Sequence, residues 1–216
     1  MKKLLLGIAA LCVVITVFLT YVVFTESGLK FLVSSAEKIS MGSLQVGDVS
    51  GKLSKKFSIE ELHYDSDEST FQVKHAELFR NPAALWRGEL HVFSCIIENV
   101  EYSYTAPEKS EENEAMSLSL PSLKMPLDMI LEDLRVRNVQ IISSGETVAE
   151  IDRVDLQLRG GATLLQFDTI YLQGKDFQVN LSGEVGVDRD WPVDITGTWR
   201  YLVEGIPELQ GNIRVN

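Results

Sequence analysis

The sequence is short of the residues on which catalysis and covalent stapling depend. Its 216 residues include two cysteines, three histidines and six prolines. Cys12 lies in an apolar N-terminal run and Cys95 far down the polar part, so the two do not meet in a disulfide. Neither has a nearby His or a CxxC partner, and both read as small apolar fillers rather than reactive thiols. His63, His75 and His91 lack the close grouping of a metal site and read as solvent-facing rings on strands. No GxSxG elbow, Walker loop or dinucleotide fingerprint occurs. Arg159-Gly160-Gly161-Ala162 reads as a turn, since no Lys-Ser/Thr and helix come after it. The expectation is a protein that is not an enzyme, with no metal and no cofactor. Basic residues are also scarce, 20 Lys+Arg against 31 Asp+Glu for a net charge of −11. That balance argues against nucleic acid, whose binding rests on phosphate neutralisation.

What is present is unevenly distributed. A mean hydropathy of +0.04 averages one very apolar segment with a long polar one. No charge falls between Leu4 and Thr25, a run long enough to cross the hydrocarbon core, which takes about 20 helical residues. A cleaved signal peptide is the competing reading, but its apolar region is usually about 7–15 residues and ends in small side chains. Here the end is Val22-Val23-Phe24-Thr25. Lys2 and Lys3 before the run and Glu26 after it place residues 1–3 in the cytoplasm, an anchor at 4–25 and the remainder outside. Ser27 can then cap an amphipathic helix within 26–40, with Leu29, Leu32, Val33, Ala36 and Ile39 at helical spacing. That helix would lie along the membrane face or cover the end of the region beyond it.

From Phe57 onward the period changes to two, as in Phe71-Gln-Val73 and Phe177-Gln-Val179-Asn-Leu181. The region 44–216 is therefore expected to be all β. A short unit recurs at Ile59-Glu-Glu-Leu62-His-Tyr64, Ile97-Glu-Asn-Val100-Glu-Tyr102 and Val136-Arg-Asn-Val139-Gln-Ile141, and more loosely at Phe167-Asp-Thr-Ile170-Tyr-Leu172. Its apolar step of three inside a period of two calls for a β-bulge that absorbs the slip and bends the strand. Between the first two copies, Asn81-Pro82 to Gly88 has a cap, a proline start and a glycine stop, so a helical turn would present Leu85 and Trp86 as plugs at the rim. Residues 106–117 are acidic and poor in apolar side chains, and are expected to form a mobile loop. The tail still alternates through Ile213 and Val215 with nothing to close the sheet, so these are edge-strand candidates: either the last strand pairs with another molecule or the chain is one piece of a longer sheet.

These features, in this order, resemble the TamB family, the inner-membrane subunit of the translocation and assembly module within the AsmA-like group of bridge-like lipid-transfer proteins. The resemblance is carried by the anchor, Thr25-Glu-Ser27-Gly28-Leu29, Val46-Gly47-Asp48-Val49-Ser50-Gly51, the unit from Phe57 to Tyr64, the acidic insertion, and Asp190-Trp191-Pro192-Val193-Asp194-Ile195-Thr196. It implies an elongated, curved, antiparallel-type sheet forming an open groove (a β-taco) in the periplasm of a diderm bacterium. It further implies movement of phospholipid between inner and outer membranes, support of outer-membrane protein assembly, and an outer-membrane barrel partner. Family proteins are several times longer, so the sequence reads as the membrane-proximal portion, without the region that engages the barrel.

The alternation independently supplies a floor for acyl chains. Phe57, Ile59, Phe71, Val73, Val92, Val136, Phe177, Val179, Leu181, Ile195 and Trp199 are its candidate residues, with plain core packing in a closed sandwich as the competing reading. The alternative function is a scaffold or chaperone that lends its edge strand, through Ile213 and Val215, to a β-barrel client or a barrel partner.

Overall fold

The structure, a computed structural model, describes residues 2–66, 68–105, 127–187, 191–202, 205 and 207–215, with side chains from residue 13 onward. Two helices, α1 (Lys2–Phe24) and α2 (Glu26–Ile39), precede ten strands. These are β1 (Leu44–Gly51), β2 (Lys56–Asp65), β3 (Ser69–Asn81), β4 (Glu89–Tyr104), β5 (Asp128–Ser143), β6 (Glu146–Gly160), β7 (Leu164–Gln173), β8 (Phe177–Gly186), β9 (Val193–Tyr201) and β10 (Leu209–Val215). The strands form one sheet in chain order from β1 to β10. The expected curved groove (β-taco) does not form among the described residues: the sheet is open and uncurled, because each strand packs principally on its sequence neighbours and nothing draws the two edges together. No sandwich forms among the described residues.

The sheet is amphipathic across its full width. Val49, Ile59, Ala76, Ile97, Val136, Val154, Leu172, Val179, Trp199 and Gly211 are successive cross-strand partners from β1 to β10. The adjacent row on the same face runs Gly51, Phe57, Leu78, Cys95, Leu134, Leu156, Ile170, Leu181, Gly197 and Ile213. On the opposite face a third row runs Asp48, Glu60, His75, Glu98, Arg137, Arg153, Gln173, Gln178, Arg200 and Gln210. Period-two alternation sorts side chains in this way only if register is kept, because a one-residue slip exchanges the faces.

The repeat unit keeps that register by a device other than the expected slip. Its first three copies align side by side, with Ile59 and Ile97 bridged by Ala76, and Ile97 paired directly with Val136. Within them Glu61, Asn99 and Asn138 adopt left-handed backbone, with φ of 54°, 56° and 53°. On either side of each, the neighbouring strand omits one residue as well, so Gly47, Glu61, Lys74, Asn99, Asn138 and Asp152 form a line missing from the ladder. Both partners skip together, so the register is unchanged and no bend is forced. The apolar step of three thus recurs in all six strands and returns the next residue to the apolar face, giving the row Val46, Leu62, Val73, Val100, Val139 and Ile151. True slips occur elsewhere, at Phe79/Arg80, Leu131/Leu134, Ile141/Ile142, Gln157/Leu158 and Phe167/Ile170. The loose fourth copy is therefore the one of the four that is a register-shifting bulge.

Three further expectations are corrected. The sheet is not antiparallel throughout, because β4 and β5 run parallel, with Glu89 opposite Asp128 and Tyr104 opposite Ser143. Residues Tyr104 and Asp128 therefore lie at opposite ends of neighbouring 16-residue strands, about 50 Å apart at 3.3 Å per residue. The acidic stretch 106–117 lies between them, outside the described residues. The helix cap is Thr25, whose hydroxyl accepts from the Gly28 N–H at 2.9 Å, and not Ser27, which lies inside α2. Finally, the turn Pro82–Arg87 has the expected Asn81 cap and left-handed Gly88 stop, but its plug is the fully buried Ala84. Trp86 is 94% exposed, because so short a 3₁₀ turn presents a single small face to β4.

α2 runs along the outer edge of β1. Glu37 accepts from the Val46 N–H at 2.8 Å, the Ser40 hydroxyl accepts from the Leu44 N–H at 3.1 Å, and Lys30 lies 3.9 Å from Asp48. The first two contacts occupy backbone donors that an edge strand otherwise offers to another chain. Among the described residues no single helix is long and apolar enough to cross a membrane. Val13–Phe24 and Glu26–Ile39 meet that standard only together, as a pair bent by 95°. Gly28 makes the corner possible, since a Cβ there would stand 2.5 Å from the Val22 Cα.

Candidate functional site

The largest feature left without a partner layer is the apolar face of the sheet. All eleven residues expected on a floor, Phe57, Ile59, Phe71, Val73, Val92, Val136, Phe177, Val179, Leu181, Ile195 and Trp199, fall on that face. Ile213 and Val215 fall on it too, in the edge strand β10. The alternation missed about as many again. Leu62, Ile97, Val100, Leu134, Val139, Ile151, Val154, Leu156, Leu158, Ile170 and Leu172 share the face, and the step of three hid several of them.

Side chains on this face shield one another. Val73, Val92, Val100 and Leu158 are buried, whereas Phe71, Tyr64, Tyr102, Tyr201 and Leu209 remain exposed toward the ends of their strands. The burial of apolar area by neighbours within one layer stabilises the sheet by about 25 cal/mol per Å² and leaves the outward half of each side chain wet. Trp199 caps its row. Its indole lies over Gly211, where a Cβ would stand 2.6 Å from Nε1, so glycine on β10 leaves room for tryptophan on β9. Cys95 sits in the second row, and burial raises the pKa of its thiol, which favours the protonated form.

The opposite face is charged and self-paired. Asp155 accepts from Arg153 Nε at 2.6 Å and lies 3.2 Å from Arg137 Nη1, while the Arg153 guanidinium also sits 5.3 Å over the Tyr171 ring. Each histidine is paired with a carboxylate on this face: His63 with Asp65 at 2.7 Å, His75 with Glu60 at 2.7 Å and His91 with Glu132 at 2.6 Å. Hydrogen bonds from the Thr70 hydroxyl and then His63 hold the Asp65 carboxyl below its ordinary pKa. No cluster of His, Cys, Asp and Glu suited to a metal occurs among the described residues. Asn138 Nδ2 donates to Asn99 Oδ1 at 3.1 Å, so the asparagines shared by two copies of the repeat touch across the parallel β4–β5 seam.

The geometry thus presents a continuous apolar surface about 43 Å wide, nine strand spacings, backed by a polar face and covered, among the described residues, along only one edge. A surface of this kind is suited to apolar partners. No curated protein and no solved structure matches the chain. The family described as TamB, N-terminal domain, matches over residues 13–121 and 98–213.

Proposed function

The chain belongs to the TamB family, through its N-terminal domain, and from that premise we propose that it is a membrane-anchored, non-catalytic lipid conductor. α1 anchors it in the inner membrane with residues 1–3 in the cytoplasm. The sheet stands in the periplasm, and its apolar face is a floor along which phospholipid acyl chains pass between inner and outer membranes, in support of outer-membrane protein assembly. The observation that carries this reading is the pair of ten-strand apolar rows with no second layer over them among the described residues. A two-chain lipid in water must keep its methylenes dry at about 0.8 kcal/mol each, roughly 20 kcal/mol in all, and a continuous strip supplies that where a single pocket does not. The exposed apolar side chains of α1, such as Val13, Val17, Phe18 and Phe24, support the anchor.

The reading is tested by placing charge on each face. Val136→Asp or Val179→Asp should lower the phospholipid that co-purifies with the full chain at least several-fold, with strand content retained by circular dichroism. Arg137→Asp, on the polar face, should leave it unchanged. Equal losses from both faces would count against a lipid-bearing floor.

A second reading comes from the asymmetry of the edges. β1 is covered by α2, whereas β10 lies at the open side of the sheet and, among the described residues, pairs with β9 alone. A scaffold that augments a client β-sheet or a barrel partner would use this strand, with Ile213 and Val215 against the client. Truncation after Leu202 would then abolish client crosslinking and spare lipid.

A further inference from the structure

Trp86 and Leu85 form an exposed apolar group that neither the floor nor the edges account for. Trp86 is 94% exposed and Leu85 is 39% exposed, on a turn that is otherwise firmly held. Its Asn81 cap accepts from Ala83 N–H at 3.1 Å, Gly88 closes it, and Ala84 pins it to the sheet. The turn lies at the α1 end of the molecule. Asn81 and Pro82 line a cavity with Phe24, Phe79 and Phe93, and the neighbouring β1–β2 turn donates from Ser54 N–H to the Val23 carbonyl at 2.9 Å.

We propose that this end of the sheet rests on the headgroup layer of the bilayer that α1 enters, with the Trp86 indole as an interfacial anchor. The inference rests on the anchoring role proposed above for α1. Tryptophan favours the membrane interface because its ring is apolar and its N–H needs a wet partner. Charge agrees with this occupant. Exposed Lys52 and Lys55 stand on the turn beside α1, where Arg87 offsets Glu89 and Asp128 adds one carboxylate, whereas the far ends of the strands carry Asp65, Glu68, Glu146 and Asp176 against Lys175. Basic groups beside an indole suit lipid phosphates, and an acidic far end is repelled by an anionic surface. The effect would be to hold the sheet at a fixed tilt to the membrane, with one end of the floor at the lipid surface.

The test uses the full chain in vesicles of phosphatidylethanolamine and phosphatidylglycerol containing lipids brominated either near the headgroup or near the chain terminus. The difference in emission between wild type and Trp86→Phe isolates Trp86. Shallow bromines should quench that difference by at least half, and deep bromines less. Absence of quenching in protein that resists carbonate extraction, or stronger quenching by deep bromines, would overturn the interfacial anchor while leaving α1 as an anchor. Extraction of the chain by carbonate would overturn the anchor and this inference together.

Discussion

Left-handed backbone at Asn99 and Asn138 is tolerated because a short polar side chain suffers less there than a branched one. Asn99→Gly should be close to neutral, whereas Asn99→Val should cost about 1–2 kcal/mol or more, as measured by urea unfolding. Equal costs would show that the side-chain contact to Asn138, and not the backbone, decides the position. Asp65 gives a pH prediction. Its folded pKa is depressed, so its contribution to stability is present at neutral pH and is lost as pH falls below its ordinary range through the lowered value. Thr70→Val, which removes the leading cause, should flatten the acid limb of a stability–pH curve and leave the neutral region least changed. At this scale the sequence displayed the step of three in β2, β4 and β5. It did not display the matching steps Val46–Val49, Val73–Ala76 and Ile151–Val154, because those strands run the other way and carry no shared motif. A matched omission and a bulge look identical until the partner strand is known.

Elements were legible where a local signal was sufficient. The alternation marked the strands, and Asn81-Pro82 and Gly88 marked the short turn, since capping chemistry is local. The parallel pairing of β4 with β5 was not legible, because a polar stretch between two strands looks the same whether it closes a hairpin or returns to the start of the next strand. The outward position of Trp86 was hidden for a similar reason. The turn could be read, but which of its residues faced the sheet depended on a 3₁₀ rather than an α spacing. α2 as a cover for β1 gives a test at this scale. Glu37→Ala frees the Val46 N–H and should expose the β1 edge, so self-association measured by sedimentation should rise while strand content holds. Gly28→Val should open the α1–α2 corner and lower thermal stability by more than Gly28→Ala, because a larger side chain meets Tyr21 and Val22 backbone. No loss in either variant would mean that the corner does not support the sheet.

For the whole molecule, an ordinary average composition conceals a sharp division between faces. Every strand contributes apolar residues to one face and polar residues to the other, and among the described residues the apolar face has no second layer. A soluble monomer rarely leaves so large an apolar surface uncovered, and such surfaces mark interaction sites. The family match and the amphipathic sheet both support the proposed reading, in which the second layer is the cargo. The most direct measurement is photocrosslinking from single positions along one strand of the full chain in its membrane. Crosslinkers at Phe177, Val179 and Leu181 should each capture phospholipid, while those at Gln178 and Asn180, between them on the polar face, should capture none. Capture from Gln178 and Asn180 alone, or equally from both sets, would contradict the account.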